Sequence, residues 1–201
     1  GSGSVGGTVR YITNQPKLGT TEGAVEGNIN LVDGDDFGGH LKGAINAPLG
    51  DKAAIRAVGY FTRYGGFINA RREGGGFSED INDGERYGGR LALTFEPSET
   101  ISITPRIIYQ KISTDGFNRQ EVFNLYANPF TTTRPAVTFN EREQHLLLQE
   151  AFEDETMIAD ATIKIGLGGV DLTSVSSYTD RDILVSRDAS AANAVARYQL
   201  L

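Results

Sequence analysis

Hydrophobic and polar positions alternate along most of this chain with a period of two, the spacing of a strand with one apolar and one polar face. Val25, Gly27, Ile29 and Leu31 fall on one side of the first such segment, with Glu26, Asn28 and Asn30 on the other. Asp33-Gly34-Asp35 breaks the pattern, after which Leu41, Gly43, Ile45 and Ala47 oppose His40, Lys42 and Asn46. Beyond the tight Pro48–Asp51 turn, Ile55, Ala57, Gly59 and Phe61 face away from Arg56, Tyr60 and Thr62. The fourth segment is the clearest, with Tyr87, Gly89, Leu91, Leu93 and Phe95 against Arg86, Arg90, Thr94 and Glu96. After Glu96–Glu99, a fifth sets Ile101, Ile103, Pro105, Ile107 and Tyr109 against Ser102, Thr104, Arg106 and Gln110. A sixth, Ala159–Leu167, places Asp160, Thr162 and Lys164 on its polar side; a seventh follows Gly168-Gly169 and runs from Val170 to about Tyr178. The spacing predicts seven strands. Glu141–Glu155, with its Leu146–Leu148 run, fits a short helix or the outer part of a long strand, and is read as strand.

The connections alternate in length. Pro48–Asp51, Pro97–Glu99 and Gly168-Gly169 are tight, whereas Gly65–Asp83 and Ser113–Gln144 are long, and the last strand leads into the polar stretch Arg181–Ala192. Outer-membrane barrels have short periplasmic turns and longer extracellular loops, and a soluble meander has no reason to gather its long loops at one end. Tyr87 and Phe95 share the apolar face eight residues apart, which is ~27 Å along a strand and roughly 21 Å across a bilayer at ~40° of tilt. Together with Phe61 and Tyr109 they are candidates for aromatic girdles. The charges opposite the apolar face, Glu26, Arg56, Arg90, Arg106 and Lys164, suit a wet lumen better than the dry core of a sandwich. The expected fold is all-β: a portion of an antiparallel transmembrane β-barrel, with about seven long strands and no closure of its own.

Composition changes this picture little. Of 201 residues, 25 are glycine, several inside alternating segments where a soluble strand would avoid them. The absence of cysteine excludes disulfides and thiolate metal sites. Basic residues are scattered in a chain of net charge −7, which argues against a nucleic-acid surface. No stretch approaches the ~18 apolar residues of a membrane-crossing helix, but a barrel strand needs only ~10 and hides its lipid face in alternation. No leader pattern opens the chain, so the sequence is expected to be a piece of a longer protein.

Few motifs carry chemistry. Gly1–Gly6 spells G-x-G-x-x-G, but no strand precedes it and no helix follows, so it reads as a turn. Asp33–Gly38 opens like a calcium loop yet places Phe37 and Ala44 where ligands belong. His40 and His145 have no second ligand at metal spacing, and the carboxylates around Glu153 lie near no nucleophile and base, so no catalytic or metal residue is expected and the chain is read as not an enzyme. The long loops are more suggestive: Tyr64, Phe67, Phe117, Phe123 and Tyr126 interleave with Arg71, Arg72 and Arg119. Aromatic and arginine residues are favoured recognition anchors, so these are the candidate ligand contacts; packing of the loops against one another is the alternative for each.

Ser4–Pro16, a Gly-Gly followed by a short hydrophobic strand and a Thr-x-x-Pro-type ending, resembles the end of the plug domain of TonB-dependent receptors. Gly43–Asp51, Ala57–Phe61, Gly65–Phe67 and Tyr87–Arg90 are similar to that family's first barrel strands, and Leu172–Asp182 to a later one. The resemblance implies residues 1–18 as the end of a plug and its linker, and 19–201 as the N-terminal part of the barrel. It further implies a bacterial outer-membrane receptor without a cofactor, which takes up a scarce nutrient such as a ferric siderophore, cobalamin or an oligosaccharide. Its other partners are outer-membrane lipid and an energy-coupling TonB protein reached through an N-terminal region this sequence lacks. A passive porin-like barrel and a soluble β-rich binding module are the competing readings.

Overall fold

The computed structural model of the chain describes residues 6–7, 12–32, 36–72, 75–121 and 139–189. Seven long strands dominate it: β1 (Glu22–Val32), β2 (Asp36–Pro48), β3 (Ala53–Tyr64), β6 (Gly84–Ser98), β7 (Ile101–Thr114), β9 (Ala151–Gly166) and β10 (Asp171–Ser186). They form one antiparallel sheet in the order β1-β2-β3-β6-β7-β9-β10, each long strand beside the next in the chain. Three short strands, β4 (Asn69–Arg71), β5 (Phe77–Ser78) and β8 (Glu143–His145), make a second sheet from the two long connections, with β4 parallel to β8. The described residues contain no α-helix.

Local chemistry explains the joints. Gly50 (φ 75°) turns β2 into β3 and Gly168 (φ 80°) turns β9 into β10, both in a left-handed conformation that glycine adopts without steric cost. Pro105 stands in a central strand, and the β6 ladder is interrupted there, between Ala92↔Arg106 and Phe95↔Ile103, because proline has no N–H to donate. The register then slips between Phe95 and Ser98, around Pro97.

The registers place every predicted apolar set on one face of the sheet. Leu41 pairs with Phe61, Phe61 with Tyr87, Leu91 with Ile107 and Ile103 with Ile163. This face is open: Val25, Ile29 and Leu41 are 81%, 86% and 61% exposed, and Phe61, Leu91, Phe95 and Ile107 all exceed two fifths. The opposite face carries Glu26, Lys42, Arg56, Arg90, Arg106 and Asp160. Its polarity is broken by a half-buried Ile108–Ile158 pair and by Ile112. The only cluster of buried hydrophobic residues among those described lies off the large sheet, where Ile68, Ala70, Ile81 and Leu146 pack with Phe67 in the loop layer.

The sheet curls with its polar face inward. Asn28 of β1 and Phe152 of β9 line the same cavity although they are five strand spacings apart. In a flat sheet those spacings would separate them by ~24 Å.

Two expectations need correction. Glu141–Glu155 is not one strand: β8 ends at His145, Leu146 is 1% exposed in the loop core, and β9 begins at Ala151. The last strand does not stop near Tyr178 but continues to Ser186, because its second half pairs with the acidic first half of β9, where Arg181 grips Asp154 with two hydrogen bonds. The Gly1–Gly6 motif and the Asp33–Asp35 turn lie wholly or partly outside the described residues.

Candidate functional site

Alternation sends the side chains of Asn28, Asn30, His40, Thr62 and Tyr64 to the polar face near the ends of β1, β2 and β3, and Thr114 and Phe152 to the same end of β7 and β9. The loop layer roofs this end. Asn82 fixes the roof: its Oδ1 accepts the backbone N–H groups of Phe67 and Ile68 (both 2.8 Å), and its Nδ2 donates to Asn118 Oδ1 (2.7 Å). Between strands and roof lies a cavity of about 690 Å³, within the range of small-molecule sites.

Three of the candidate contacts, Tyr64, Phe67 and Phe117, line this cavity. The three loop arginines do not. Arg71 forms a two-pronged pair with Glu143 (2.6 and 3.0 Å), Arg72 donates to Gln149 Oε1 (3.0 Å) and toward the Leu148 carbonyl, and Arg119 binds Glu150. They hold the roof together. Phe123 and Tyr126 lie outside the described residues. The residues that sequence reasoning missed are the asparagines: Asn28 and Asn30 as wall, Asn82 and Asn118 as roof.

Deeper on the polar face sit the other charged candidates. Glu26 accepts from Lys42 (2.9 Å) and contacts the His40 ring (2.7 Å); Arg56 donates to Glu22 (2.7 Å) and Arg106 to Asp160 (2.9 Å). Arg90 has no carboxylate partner among the described residues and donates to the Asn14 carbonyl (3.1 Å). Lys164 is exposed at the tight-turn end, opposite Ser102 and Thr173. The segment ahead of β1 crosses this face: Thr13 Oγ1 accepts from Arg106 (3.0 Å), and the buried Asn46 amide bonds to Lys17 and to the Thr20 carbonyl. The four aromatic candidates lie on the apolar face, with Phe61 opposite Tyr87 and the Tyr87 and Tyr109 rings 6.4 Å apart, while Phe95 stands toward the tight turns.

Two carboxyls of the loop layer are shifted in opposite directions. Burial pushes the Asp83 carboxyl above the ordinary aspartate range, and neighbouring Asp115 adds to it. Burial also pushes Glu143 up, but the Arg71 guanidinium and the hydrogen bonds from Asn140 outweigh it and hold the carboxyl below its ordinary 4.5. A depressed folded value means that the Glu143 contribution to stability is present above the ordinary range and is lost as pH falls through that value. The protection of Asn69–Arg71 against hydrogen exchange, taken relative to the intrinsic rate at each pH, will therefore fall below about pH 4.5 in the native chain. In Glu143→Gln that protection will be lower at neutral pH and flat across this window; an unchanged acid response in the variant would assign it elsewhere.

No group of three or more carboxylate or histidine side chains able to hold a metal occurs among the described residues. Set against known proteins, the chain matches no family model, no curated protein and no solved structure, so a functional reading rests on its own residues.

Proposed function

We propose that this chain forms part of an outer-membrane β-barrel receptor for energy-coupled uptake of a scarce small molecule. The observation that carries the reading is the exposed apolar face and its borders. On β6 it runs from Tyr87 to Phe95 without a charge, ~27 Å along the strand and roughly 21 Å in height at ~40° of tilt, close to the apolar band of such barrels. Toward the loops the same face turns charged at Arg63, Glu85, Lys111 and Glu155. Monomeric soluble proteins rarely leave an apolar patch of this extent uncovered, so a soluble binding module is disfavoured.

Two further features favour a plugged receptor over a passive pore. The segment from Thr13 to Thr20 is bonded to the inward polar face, as the end of a plug would be. The roof is a folded layer with its own small core, placed over the mouth of that face. β10 pairs on one side only among the described residues and offers its free edge to a further strand of a larger barrel.

Refolded with dimyristoylphosphatidylcholine vesicles, the chain will float with the lipid and resist carbonate extraction; recovery in the soluble fraction would overturn the barrel reading. In cells, uptake dependent on the protein will collapse when a protonophore is added. Uptake indifferent to the protonophore would replace the receptor with a passive pore.

A further inference from the structure

The roofed cavity has a chemistry that selects among ligands, and an inference from it rests on the receptor reading. Its aromatic surfaces are Tyr64, Phe67, Phe117 and Phe152. Its polar surfaces are Asn28 and Asn30, alternate residues on the inward side of β1 and so ~7 Å apart, with Thr62 across from them. Neither asparagine amide has a hydrogen-bond partner among the described residues, and each offers donors and an acceptor together.

Charge is nearly absent from the wall. The arginine that lines it, Arg63, is already paired with Asp36 (3.1 Å), and the His40 ring is held by Glu26. Arg86, Arg90 and Arg187, which have no carboxylate partner among the described residues, do not line the wall, but the Arg187 guanidinium stacks on its Phe117 ring, 4.4 Å from the ring centre. Arg86 lies 5.0 Å from the centre of the Tyr60 ring, and Arg90 is bound to Asn14. An anionic ligand would lose its water here and meet only one cation without a carboxylate, Arg187, already stacked behind the Phe117 ring, which is costly. A neutral molecule with many hydroxyls and apolar C–H faces loses nothing of this kind: its hydroxyls meet amides that both donate and accept, and its ring faces stack on phenylalanine.

We propose that the cavity binds a neutral oligosaccharide, with Asn28 and Asn30 reading hydroxyls and Phe67 and Phe117 stacking on sugar rings. Maltohexaose, cellohexaose and xylohexaose are each titrated calorimetrically into the full chain refolded in detergent micelles, beside a ferric tris-catecholate as the anionic competitor. At least one hexasaccharide will bind saturably, and Asn28→Leu, at an exposed strand position where folding is not at stake, will weaken it about tenfold. Phe67→Ala will weaken it at least as much. Binding of the ferric catecholate in place of the sugars, no binding by any hexasaccharide, or sugar binding untouched by both substitutions would overturn the proposal. Flotation of the same preparation separates the two layers of argument. A chain that floats but prefers the catecholate is still a receptor with a different cargo, whereas a chain that does not float ends the receptor reading, whatever it binds.

Discussion

Leu91→Arg will destabilise the chain folded in phosphatidylcholine vesicles by about 2–4 kcal/mol, the expected cost of a guanidinium at the middle of a lipid-facing band. Leu91 lies at the centre of β6, 45% exposed, midway between Tyr87 and Phe95 on the uncharged stretch of the apolar face. The matched control is Ser113→Arg. Ser113 lies on the same face of the next strand, but toward the loops and opposite both Glu85 and Glu153. An arginine there sits among carboxylates, and the change will stay within about 1 kcal/mol. Urea titration of the two variants beside the native chain gives the comparison. Equal effects would mean that depth along the strand is irrelevant, and therefore that no bilayer covers this face.

The second large effect is expected at Asn82, which is 5% exposed. Its Oδ1 satisfies two backbone N–H groups, those of Phe67 and the buried Ile68, and its Nδ2 ties in Asn118. Leucine, branched at the same carbon but without an acceptor, leaves both N–H groups unpaired, at about 1–3 kcal/mol for each that stays dry. Asn82→Leu will therefore weaken the loop layer by about 2–4 kcal/mol, and Asn82→Asp, which keeps the accepting oxygen, by less. Hydrogen exchange at Phe67, Ile68 and Ala70 reads this directly. Exchange at Leu91 and Ile107 in the large sheet will not change, since their ladders run through β6 and β7 and not through the roof. Loss of protection in both places would show that roof and sheet unfold as one unit.

What was legible in the sequence follows from where its residues meet different surroundings. The two faces of the large sheet face opposite environments, so each strand writes a period of two, and all seven long strands and their sequential order could be read from it. The pattern weakens where both faces meet similar surroundings, as at Ile107-Ile108 in β7, and in the second half of β10, where every residue is exposed. There the strand is fixed by its partner, through Arg181 and Asp154, and composition alone suggested a loop. The roof wrote no period at all. Its core takes single apolar residues from two connections, Ile68, Ala70 and Ile81 from one and Leu146 from the other. The Leu146–Leu148 run therefore read as strand although only Leu146 enters that core.

The candidate site was half legible for the same reason. Aromatic residues in long loops stand out in a sequence, and Tyr64, Phe67 and Phe117 do border one cavity. Arginines stand out equally, but Arg71 finds its carboxylate at Glu143 on the other loop, a pairing no local pattern announces. Asn28 and Asn30 were visible only as polar members of an alternating strand, and their place in a wall depends on the curl that brings β1 toward β9.

The most direct test of the account is a nitroxide scan of β1 in lipid vesicles. The chain contains no cysteine, so each introduced cysteine carries the only label. Both faces of β1 are exposed between Val25 and Asn30, which lets every position accept it. A lipid-facing strand gives a period of two: contact with lipid-dissolved oxygen at Val25, Gly27 and Ile29, and with an aqueous nickel chelate at Glu26, Asn28 and Asn30. Nickel access at all six positions, with no oxygen maximum on the odd ones, would contradict it.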